Sequence, residues 1–440
     1  MGVGYVGLPM AIALASAIKK GKYIFNVYGY DRDINRIKTL RGKSAKRVLP
    51  FQSNDFSLKN KFINSCKKNK IIFTDNFQKI TNMDIILISI GFSFEKNKLF
   101  KNIIEVMENT VKIIKKKTIL IIETTLPPGT FEKILVPHIK QVLRKRNLKL
   151  SDIYLAYSFE RIMPGKKYYD SIVNNYRCFS GINEASTKRA ETFLKSFINY
   201  KKFPLTKMKS ITECETVKIL ENSYRASNIA LIDEWVKYAN FLKIDLLNVI
   251  KAIKIRPTHS NIMMPGLGVG GYCLPKDALF AKKSASIILK KKLSFPFIDL
   301  ASKTNNLMPN SSLEFVEENI KSFKNKKILI LGVSYKNDVG DIRNSPTIYL
   351  YKKLKKKGSI ITLHDPLINE KNIFSKKLPD FKKFHFILLC VKHSNYLKLK
   401  FSNFSKKPIY FDLNNVLNQN QIHSMKKKKF KLFILGRHGF

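Results

Sequence analysis

A thiol and a carboxylate four residues apart, Cys273 and Asp277, are the clearest chemical signal in the sequence, and they stand in the segment Gly-Gly-Tyr-Cys-Leu-Pro-Lys-Asp at residues 270–277. Glycines precede or open this segment at Gly266, Gly268 and Gly270. They remove side chains that would block a bulky ligand. A nearby cation such as Lys276 would favour the nucleophilic thiolate. The pattern indicates covalent oxidation chemistry; the alternative is a buried structural cysteine beside a glycine turn.

A glycine-rich turn at the N-terminus predicts a dinucleotide site. Residues 2–7 read Gly-Val-Gly-Tyr-Val-Gly and lead into the helix-like run 10–18. In a G-x-G-x-x-G turn the glycines let a pyrophosphate approach the N-terminus of the following helix, whose amides and dipole favour anions. The residues predicted to contact the cofactor in this phosphate turn are Gly2, Gly4, Tyr5, Val6 and Gly7.

An acidic residue at the expected distance supports the same site. The apolar segment 24–30 reads as a strand and ends at Asp31, where an acid binds the adenosine ribose in such folds. A carboxylate there would repel a 2'-phosphate, which favours NAD as the cofactor, although the neighbouring Arg32 weakens this inference. The alternative is an ordinary glycine turn followed by a surface aspartate.

The phosphate turn normally follows a buried strand, but here Met1 directly precedes Gly2. Either the start of the chain was assigned too late or the chain is damaged. We therefore expect poor stability and weak NAD affinity. An in-frame upstream extension should encode an apolar strand of about five to eight residues.

A long helix over residues 212–242 is predicted to carry a polar stripe. Thr212 and Glu215 form a possible capping box at its start. Lys218, Asn222 and Arg225 then share one face, and the apolar residues between them predict that the helix packs against the protein. The polar stripe could line a site.

With these motifs, the chain resembles the UDP-glucose/GDP-mannose dehydrogenase family, the nucleotide-sugar 6-dehydrogenases. The resemblance extends from residue 2 to the end of the chain. Besides the phosphate turn, the helix and the cysteine segment, the motifs that carry the resemblance lie at 123–130, 158–165, 331–336, 341–346 and 364–366. So many motifs in the order of the family make a chance match very improbable.

The resemblance implies oxidation of the primary alcohol of a UDP-sugar to a carboxylate with two NAD+, without release of the aldehyde. It implies that Cys273 forms a thiohemiacetal and then a thioester that water hydrolyses. Lys218 and Asn222 would hold the charge that develops on the sugar oxygen. Asp277, with Thr125 and Glu160, would position water and move protons.

Further positions follow from the same resemblance. Thr125, Lys276 and Arg343 match positions that face the cofactor. The residues implied to contact the nucleotide-sugar are Glu160, Lys218, Asn222, Gly270 and Lys336. The long helix often forms the dimer interface in the family, which implies a homodimer or a higher homo-oligomer.

The identity of the sugar stays open between two expectations. The segment 160–165 resembles the N-acetylhexosamine branch of the family, and the segment 272–277 resembles the UDP-glucose branch. We favour a UDP-N-acetylhexosamine, with UDP-glucose as the alternative. A reading of another class is an inactive relative that only binds a nucleotide-sugar. The presence of Cys273, Lys218, Asn222 and Asp277 argues against it, since binding alone needs no thiol.

Composition limits the remaining classes. Of the 440 residues 44% are hydrophobic, yet no apolar run approaches the ~20 residues that span a bilayer, so we expect a cytoplasmic protein without membrane insertion. Five scattered cysteines without a C-x-x-C pair argue against a zinc site and a disulfide framework. No metal is expected.

The net charge of +49, from 81 basic and 32 acidic residues, could attract nucleic acid or anionic lipid. Lys, Ile, Asn and Phe are abundant throughout, however, and aromatic residues do not cluster with the basic runs. We therefore expect no specific nucleic-acid partner.

Strands that alternate with helical stretches predict an α/β fold: two doubly wound Rossmann-like domains joined by a central helical domain with the long helix. The predicted domains are 1–205 for NAD binding, 206–310 for dimerisation and the catalytic cysteine, and 311–440 for the UDP-sugar. The strand at 327–332 begins the last domain. Its turn lacks a full G-x-G-x-x-G, so a second dinucleotide is not expected there.

Overall fold

A computed structural model of the chain describes residues 1–42, 49–51, 53–92, 100–368, 374–375 and 377–438. The chain divides into two compact units. The first unit comprises Met1–Glu221 and Phe280–Ser294, and the second comprises Asn222–Leu279 and Phe295–Phe440.

The first unit is built from alternating strands and helices. Its strands are Ile18–Lys19, Lys22–Tyr23, Val27–Tyr30, Ile71–Thr74, Ile85–Ile88, Ile119–Ile122, Tyr154–Tyr157, Arg177–Gly181 and Leu205–Lys207. Its α-helices are Gly7–Ala15, Ile34–Arg41, Phe56–Lys67, Lys101–Ile113, Val136–Lys145, Asp170–Val173, Glu184–Phe197 and Phe280–Lys283. Short 3-10 or π turns occur at Phe77–Ile80, Leu150–Asp152, Phe131–Leu135 and Ser284–Ile288.

The main sheet of the first unit runs in the order Ile85–Ile88, Ile119–Ile122, Tyr154–Tyr157, Arg177–Gly181, Leu205–Lys207. Neighbouring strands pair in parallel, except that Tyr154–Tyr157 and Arg177–Gly181 are antiparallel. All four residues of Ile119–Ile122 are buried, because helices cover both faces of a parallel sheet. The carboxyl ends of the first three strands therefore meet at one edge, where polar residues follow each strand.

The phosphate turn lies at the carboxyl ends of Val27–Tyr30 and of Ile85–Ile88. The amide of Gly2 donates to Tyr30 O at 2.8 Å, and the amide of Ser89 donates to Met1 O at 2.9 Å. The helix Gly7–Ala15 begins as the turn ends, and its residues from position 8 onward are buried. The prediction of a strand that ends at Asp31 is confirmed by Val27–Tyr30, which pairs in parallel with Ile71–Thr74.

The long helix extends over 32 residues, Ile211–Leu242, as predicted, but its predicted capping box is wrong. The side chain of Ser210 accepts the hydrogen bond from Glu213 N at 3.0 Å. Glu215 instead accepts from the amides of Gly129 and Phe131, 2.6 and 3.0 Å away. Because the helix starts at residue 211, Thr212 already lies inside it, and Glu215 caps a different turn.

The second unit contains a doubly wound sheet. Its strands are Lys327–Leu331, Ile360–His364, Phe374–Ser375, Phe386–Leu389, Ile409–Asp412 and Leu432–Ile434, all parallel. Its α-helices are Leu246–Lys254, Leu274–Asp277, Pro296–Glu317, Pro346–Lys356, Ser394–Leu397 and Gln419–Lys427. Short 3-10 turns occur at Pro257–His259, Phe381–Lys383 and Phe401–Asn403.

In chain order the strands of this sheet are arranged 3-2-1-4-5-6, the order of a Rossmann fold. The strand order reverses between Lys327–Leu331 and Phe386–Leu389, because the chain continues from the first strand to one side and later returns to the other. A ligand crevice is therefore expected beyond the carboxyl ends of these two strands. The predicted fold class is confirmed: two doubly wound α/β regions, with a helical region that contains the long helix between them along the chain. In the described ranges, each helix is too short or too polar to cross a bilayer.

Candidate active site

The geometry of the phosphate turn fits a dinucleotide. Gly2 has a φ of +85°, and a Cβ on it would lie 2.7 Å from Ser89 O. A Cβ on Gly7 would lie 1.8 Å from Gly2 O, so a side chain there would break the turn. A Cβ on Gly4 would meet no described atom within 4 Å. The outer glycines therefore close the turn, and the open space at Gly4 leaves room for a pyrophosphate.

Tyr5 and Val6, the other predicted residues of the turn, make structural contacts within the protein. The ring of Tyr5 stacks on Phe51 with centroids 4.7 Å apart, and Tyr5 O accepts from the hydroxyl of Tyr168. Val6 occupies the N-cap position of the helix Gly7–Ala15. The backbone of both residues, more than their side chains, is placed to form the turn.

Asp31 is buried and holds the turn in place. Its Oδ2 accepts from Val3 N and from Arg36 Nη1, each at 2.9 Å, and its Oδ1 accepts from Asp33 N at 3.0 Å. Sequence reasoning considered Arg32 and missed Arg36. The signal was available, because Asp33 is the N-cap of Ile34–Arg41 and therefore places Arg36 in its first turn.

Glu160 and Lys218 come together within the first unit. Lys218 Nζ donates to Glu160 O at 3.0 Å and lies 5.5 Å from the centre of the Phe159 ring. The Glu160 carboxylate accepts from Ile162 N. Burial raises the pKa of Glu160, and Lys218 opposes that rise. A buried carboxyl group with a raised pKa beside a buried cation is typical of groups that transfer protons.

Thr125 lies at the same sheet edge as Glu160. The parallel register pairs Ile122 with Tyr157, and Thr125 and Glu160 each follow their strand by three residues. Thr125 is half-buried. The position suits a residue that contacts a ligand at the carboxyl ends of the strands.

In the second unit, Asn222 and Asp277 form a buried pair. Asn222 Nδ2 donates to Asp277 Oδ2 at 2.8 Å, and Asp277 is fully buried. Lys276 Nζ lies 2.6 Å from Asp277 Oδ1 and 4.6 Å from the centre of the Tyr272 ring. The predicted cation near the thiol is therefore engaged by the neighbouring carboxylate.

Cys273 is exposed, whereas Cys66, Cys178, Cys214 and Cys390 are buried, and none of the five forms a disulfide. Its carbonyl accepts from Asp277 N at 2.9 Å, which fixes thiol and carboxylate on one helical turn. The reading of Cys273 as a buried structural cysteine is wrong. An exposed thiol can act as a nucleophile towards a ligand.

Glycines of the cysteine loop, residues 266–277, allow close packing as well as ligand access. A Cβ on Gly270 would lie 2.7 Å from Asn344 O, and one on Gly271, with a φ of +83°, would lie 2.6 Å from the Tyr335 ring. Gly271 N also donates to Arg343 O at 2.9 Å. Sequence reasoning missed the roles of Tyr335 and Asn344, although both stand in segments that carry the family resemblance.

Two cations of the second unit are close enough to influence each other. Burial lowers the pKa of Lys336, and the positive charge of Arg225 lowers it further. An anion bound there would relieve this repulsion, which suits a diphosphate. Arg343, by contrast, has its guanidinium 2.6 Å from Asp341 Oδ2 and 5.6 Å from the Tyr272 ring centre.

Three family models match the chain. They are the NAD binding, central and UDP binding domains of the UDP-glucose/GDP-mannose dehydrogenase family, over residues 1–198, 212–307 and 329–419. The UDP-N-acetyl-D-mannosamine dehydrogenase of Methanocaldococcus jannaschii is 30% identical over 99% of this chain and 95% of that protein. Its namesake from Pyrococcus horikoshii is 29% identical over 84% of this chain and 83% of that protein.

Solved structures of other nucleotide-sugar dehydrogenases have a similar fold. The UDP-D-ManNAc dehydrogenase of Pyrococcus horikoshii superposes with a TM-score of 0.82 at 25% identity, over 99% of this chain and 98% of that one. The NDP-N-acetyl-D-galactosaminuronic acid dehydrogenase of Methanosarcina mazei gives a TM-score of 0.75 at 26% identity, over 100% of this chain and 94% of that one.

Proposed function

Since the chain belongs to the UDP-glucose/GDP-mannose dehydrogenase family, we propose that it oxidises UDP-N-acetyl-D-mannosamine to the corresponding uronic acid. Like its family, the protein is an NAD-dependent nucleotide-sugar dehydrogenase that converts the primary alcohol of a UDP-sugar to a carboxylate. The similarity to UDP-N-acetyl-D-mannosamine dehydrogenases over nearly the whole chain supports the proposed sugar. The observation that carries the chemistry is the exposed Cys273 on one turn with the buried Asp277.

The proposed reaction passes through a covalent intermediate on Cys273. The thiolate sulfur bonds to the aldehyde carbon and the aldehyde oxygen gains a proton, which gives a thiohemiacetal. NAD+ supplies the hydride acceptor for both oxidations. When the thiohemiacetal loses a hydride and its hydroxyl proton, a thioester forms, and water then releases the carboxylate and regenerates the thiol.

Lys218 and Asn222 are proposed to stabilise the negative charge on the sugar oxygen. They lie one helical turn apart in Ile211–Leu242, and each is about 8% exposed. Buried donors lose little to water, so one of them can be worth about 3–4 kcal/mol in the transition state. The hydrogen bond from Asn222 to Asp277 fixes the amide in one orientation.

Glu160, Thr125 and Asp277 are proposed to move protons and position water. The raised pKa of Glu160 suits a group that alternates between base and acid. Asp277 is held on one oxygen by Asn222 and on the other by Lys276, so it can orient a water molecule without swinging away.

The remaining site residues are assigned to ligands by position. The phosphate turn and Asp31 are proposed to bind NAD, with contributions from Thr125, Lys276 and Arg343. Gly270 and Lys336 are proposed to contact the UDP-sugar. The domain division 1–205, 206–310 and 311–440 is proposed to separate NAD binding, dimerisation with the catalytic cysteine, and UDP-sugar binding.

A panel of UDP-sugars tests the proposed substrate. NADH production should give a kcat/KM at least about tenfold higher for UDP-N-acetyl-D-mannosamine than for its gluco and galacto epimers and for UDP-glucose. A preference for UDP-glucose would overturn the proposed sugar and leave the family activity intact. No NADH from any sugar would instead favour a binding protein without activity.

We infer that the protein forms a homodimer through an apolar face of the second unit. Tyr224, Leu231 and Tyr238 recur every seven residues on the long helix and are 45–64% exposed. Phe297 and Leu300 on the helix Pro296–Glu317 are 70% and 56% exposed. Residues seven apart lie on one side of a helix, and exposed apolar side chains on such a side favour association.

Light scattering after gel filtration tests this interface. The wild type should have twice the chain mass, and a Leu231→Glu/Tyr238→Glu variant should be a monomer. A wild-type monomer at micromolar concentration would contradict the inference.

A cytoplasmic location is proposed from the cysteines. None of the five forms a disulfide, although oxidising compartments favour such bonds. Fractionation of cells that express the full chain should recover it with cytoplasmic markers; recovery with the membrane fraction after a salt wash would contradict this.

A further inference from the structure

A buried ion pair in the first unit has no part in the chemistry described so far. Arg177 Nη1 lies 2.8 Å from Glu123 Oε1, and both side chains are only 2% exposed. Ser89 Oγ donates to the second carboxylate oxygen of Glu123 at 2.8 Å. Buried ion pairs are costly to desolvate and seldom stabilise more than apolar residues of the same size would. The burial of this ion pair therefore indicates a role other than stability.

Arg177 has bonding capacity beyond this pair. Among the described residues its Nη2 group, which is buried, has no hydrogen-bond acceptor. A buried guanidinium with an unused donor is expensive unless its charge serves a further group. The neighbouring structure indicates which group that is.

The loop that carries Glu160 is attached to the strand that carries Arg177. Residues 158–161 and 175–178 are joined by four hydrogen bonds. Three of them run from Ser158 Oγ to Cys178 O at 3.0 Å, from Arg161 Nη1 to Tyr176 O at 2.9 Å, and from Asn175 Nδ2 to Arg161 O at 3.1 Å. The fourth is a weak bond from Arg161 Nη2 to Cys178 Sγ at 3.9 Å. The backbone on both sides of Arg177 therefore fixes the position of the Glu160 loop.

The other end of the ion pair reaches the phosphate turn. Ser89 N donates to Met1 O at 2.9 Å, and a Cβ on Gly7 would lie 3.3 Å from Ser89 Cβ. A continuous series of contacts thus runs from the phosphate turn through Ser89 and Glu123 to Arg177 and the Glu160 loop. All of it lies within the first unit.

Three charged groups from other elements act electrostatically on the Glu160 carboxyl group. Lys218 comes from the long helix, Arg177 from the start of Arg177–Gly181, and Glu123 from the end of Ile119–Ile122. Burial raises the pKa of Glu160, the two cations lower it, and Glu123 raises it. The amide of Ile162, in the same loop, also lowers it.

We propose that Arg177 is a positioning residue for the oxidation: the strand segment around it holds the Glu160 loop, and its side chain, balanced by Glu123, sets the charge around the Glu160 carboxylate. The inference rests on the proposed role of Glu160 in proton transfer. Arg177 favours the ionised carboxylate, and Glu123 both opposes it directly and engages part of the charge of Arg177. Arg177 and Glu123 therefore act on Glu160 with opposite signs.

The pH dependence of kcat/KM tests this proposal with two substitutions. In Arg177→Met the acidic limb of the profile should move to higher pH, because a cation that favours the ionised carboxylate is lost. In Glu123→Gln the same limb should move down, because a negative neighbour is lost and Arg177 is released. Arg177→Lys should restore much of the wild-type position.

Controls separate this role from a merely structural one. Arg189→Met removes an exposed cation of the same unit, which stacks on Tyr154 at 5.1 Å, and should leave the limb in place. If Arg177→Met fails to fold, the nearly isosteric Glu123→Gln still gives a signed answer. Limbs that stay fixed in Glu123→Gln, or that move the same way in both variants, would overturn the proposal.

Glu160→Gln distinguishes failure of this inference from failure of the proposed function. That variant should lose the acidic limb together with most of its activity. If it kept the wild-type profile, the proposed role of Glu160 would be wrong. If it lost the limb while the Arg177 and Glu123 variants did not shift it, only the positioning role would be wrong.

Discussion

Replacement of Asp365 by asparagine should destabilise the second unit by about 2.5 kcal/mol at neutral pH. Asp365 is 2% exposed. Its Oδ2 accepts from the amides of Val333 and Ser334 at 2.7 and 2.9 Å, and from His393 Nε2 at 3.1 Å. His393 Nδ1 accepts from Asp338 N at 2.9 Å, so the proton of the ring must be on Nε2. The carboxylate is therefore surrounded by donors.

The magnitude follows from the pKa of Asp365. Burial alone would raise it, but hydrogen bonds from His393 and from the amides of Val333 and Leu367 outweigh burial and lower it from 3.8 to about 2. Nearly two pKa units correspond to about 2.5 kcal/mol in favour of the folded state. Asparagine removes the charge and turns an NH2 group towards donors, so the loss should be at least this large.

Urea denaturation followed by tryptophan fluorescence measures this loss in the right part of the chain. Trp235 is the single tryptophan, belongs to the second unit and packs against its buried core. Asp380→Asn is the matched control, because Asp380 is exposed and, within the described part of the chain, its side chain accepts a hydrogen bond only from Lys382 N, at 3.0 Å. It should change the stability by less than about 0.5 kcal/mol.

The pH dependence gives a second check. A carboxyl whose folded-state pKa is lowered stabilises the fold above its ordinary pKa and ceases to do so as the pH falls through the folded value. The gap between wild type and Asp365→Asn should therefore be largest above pH 3.8 and should close as the pH approaches about 2. A gap below about 0.5 kcal/mol at pH 7, or one that does not narrow in acid, would refute the reasoning.

Three more substitutions have defined outcomes. Lys218→Ala should lower kcat at least ~100-fold with NAD affinity unchanged, and loss of NAD binding with kcat retained would contradict its role. Gly271→Ala should lower activity and destabilise the second unit by more than about 1 kcal/mol, because a Cβ would lie 2.6 Å from the Tyr335 ring; wild-type stability would disprove that packing. Lys336→Ala should raise KM for the UDP-sugar about tenfold or more without changing NAD affinity. A weaker NAD affinity with an unchanged KM for the UDP-sugar would instead assign Lys336 to the cofactor.

Local patterns predicted the elements of the fold well. The turn at residues 2–7 and the isoleucine-rich strands depend on short segments whose chemistry is their own. The start of the long helix was placed one residue late, and its cap was assigned to the wrong pair, because Glu215 is bonded to the amides of Gly129 and Phe131, more than eighty residues away. Competition from distant groups cannot be read from a capping pattern.

The sequence predicts candidate site residues one at a time, but it does not predict the contacts between them. The bond between Asn222 and Asp277 joins positions 55 apart, and the packing of Tyr335 on the cysteine loop joins two separate motifs. The sequence does not predict that Arg177 and Glu123 form an ion pair, because the two residues are far apart in the chain and belong to no common motif. Long-range pairing of this kind depends on how the helices, loops and strands pack together, which no local spacing specifies.

The stoichiometry of the reaction tests the covalent two-step oxidation most directly. With limiting UDP-N-acetyl-D-mannosamine, the wild type should form two NADH for each uronic acid, with no free aldehyde detected by a carbonyl-trapping reagent, because Cys273 retains the intermediate. Acid quench and mass spectrometry during turnover should find the sugar attached to Cys273, and Cys273→Ser should form little or no acid. One NADH for each sugar with released aldehyde, or wild-type-like turnover by Cys273→Ser, would contradict the mechanism.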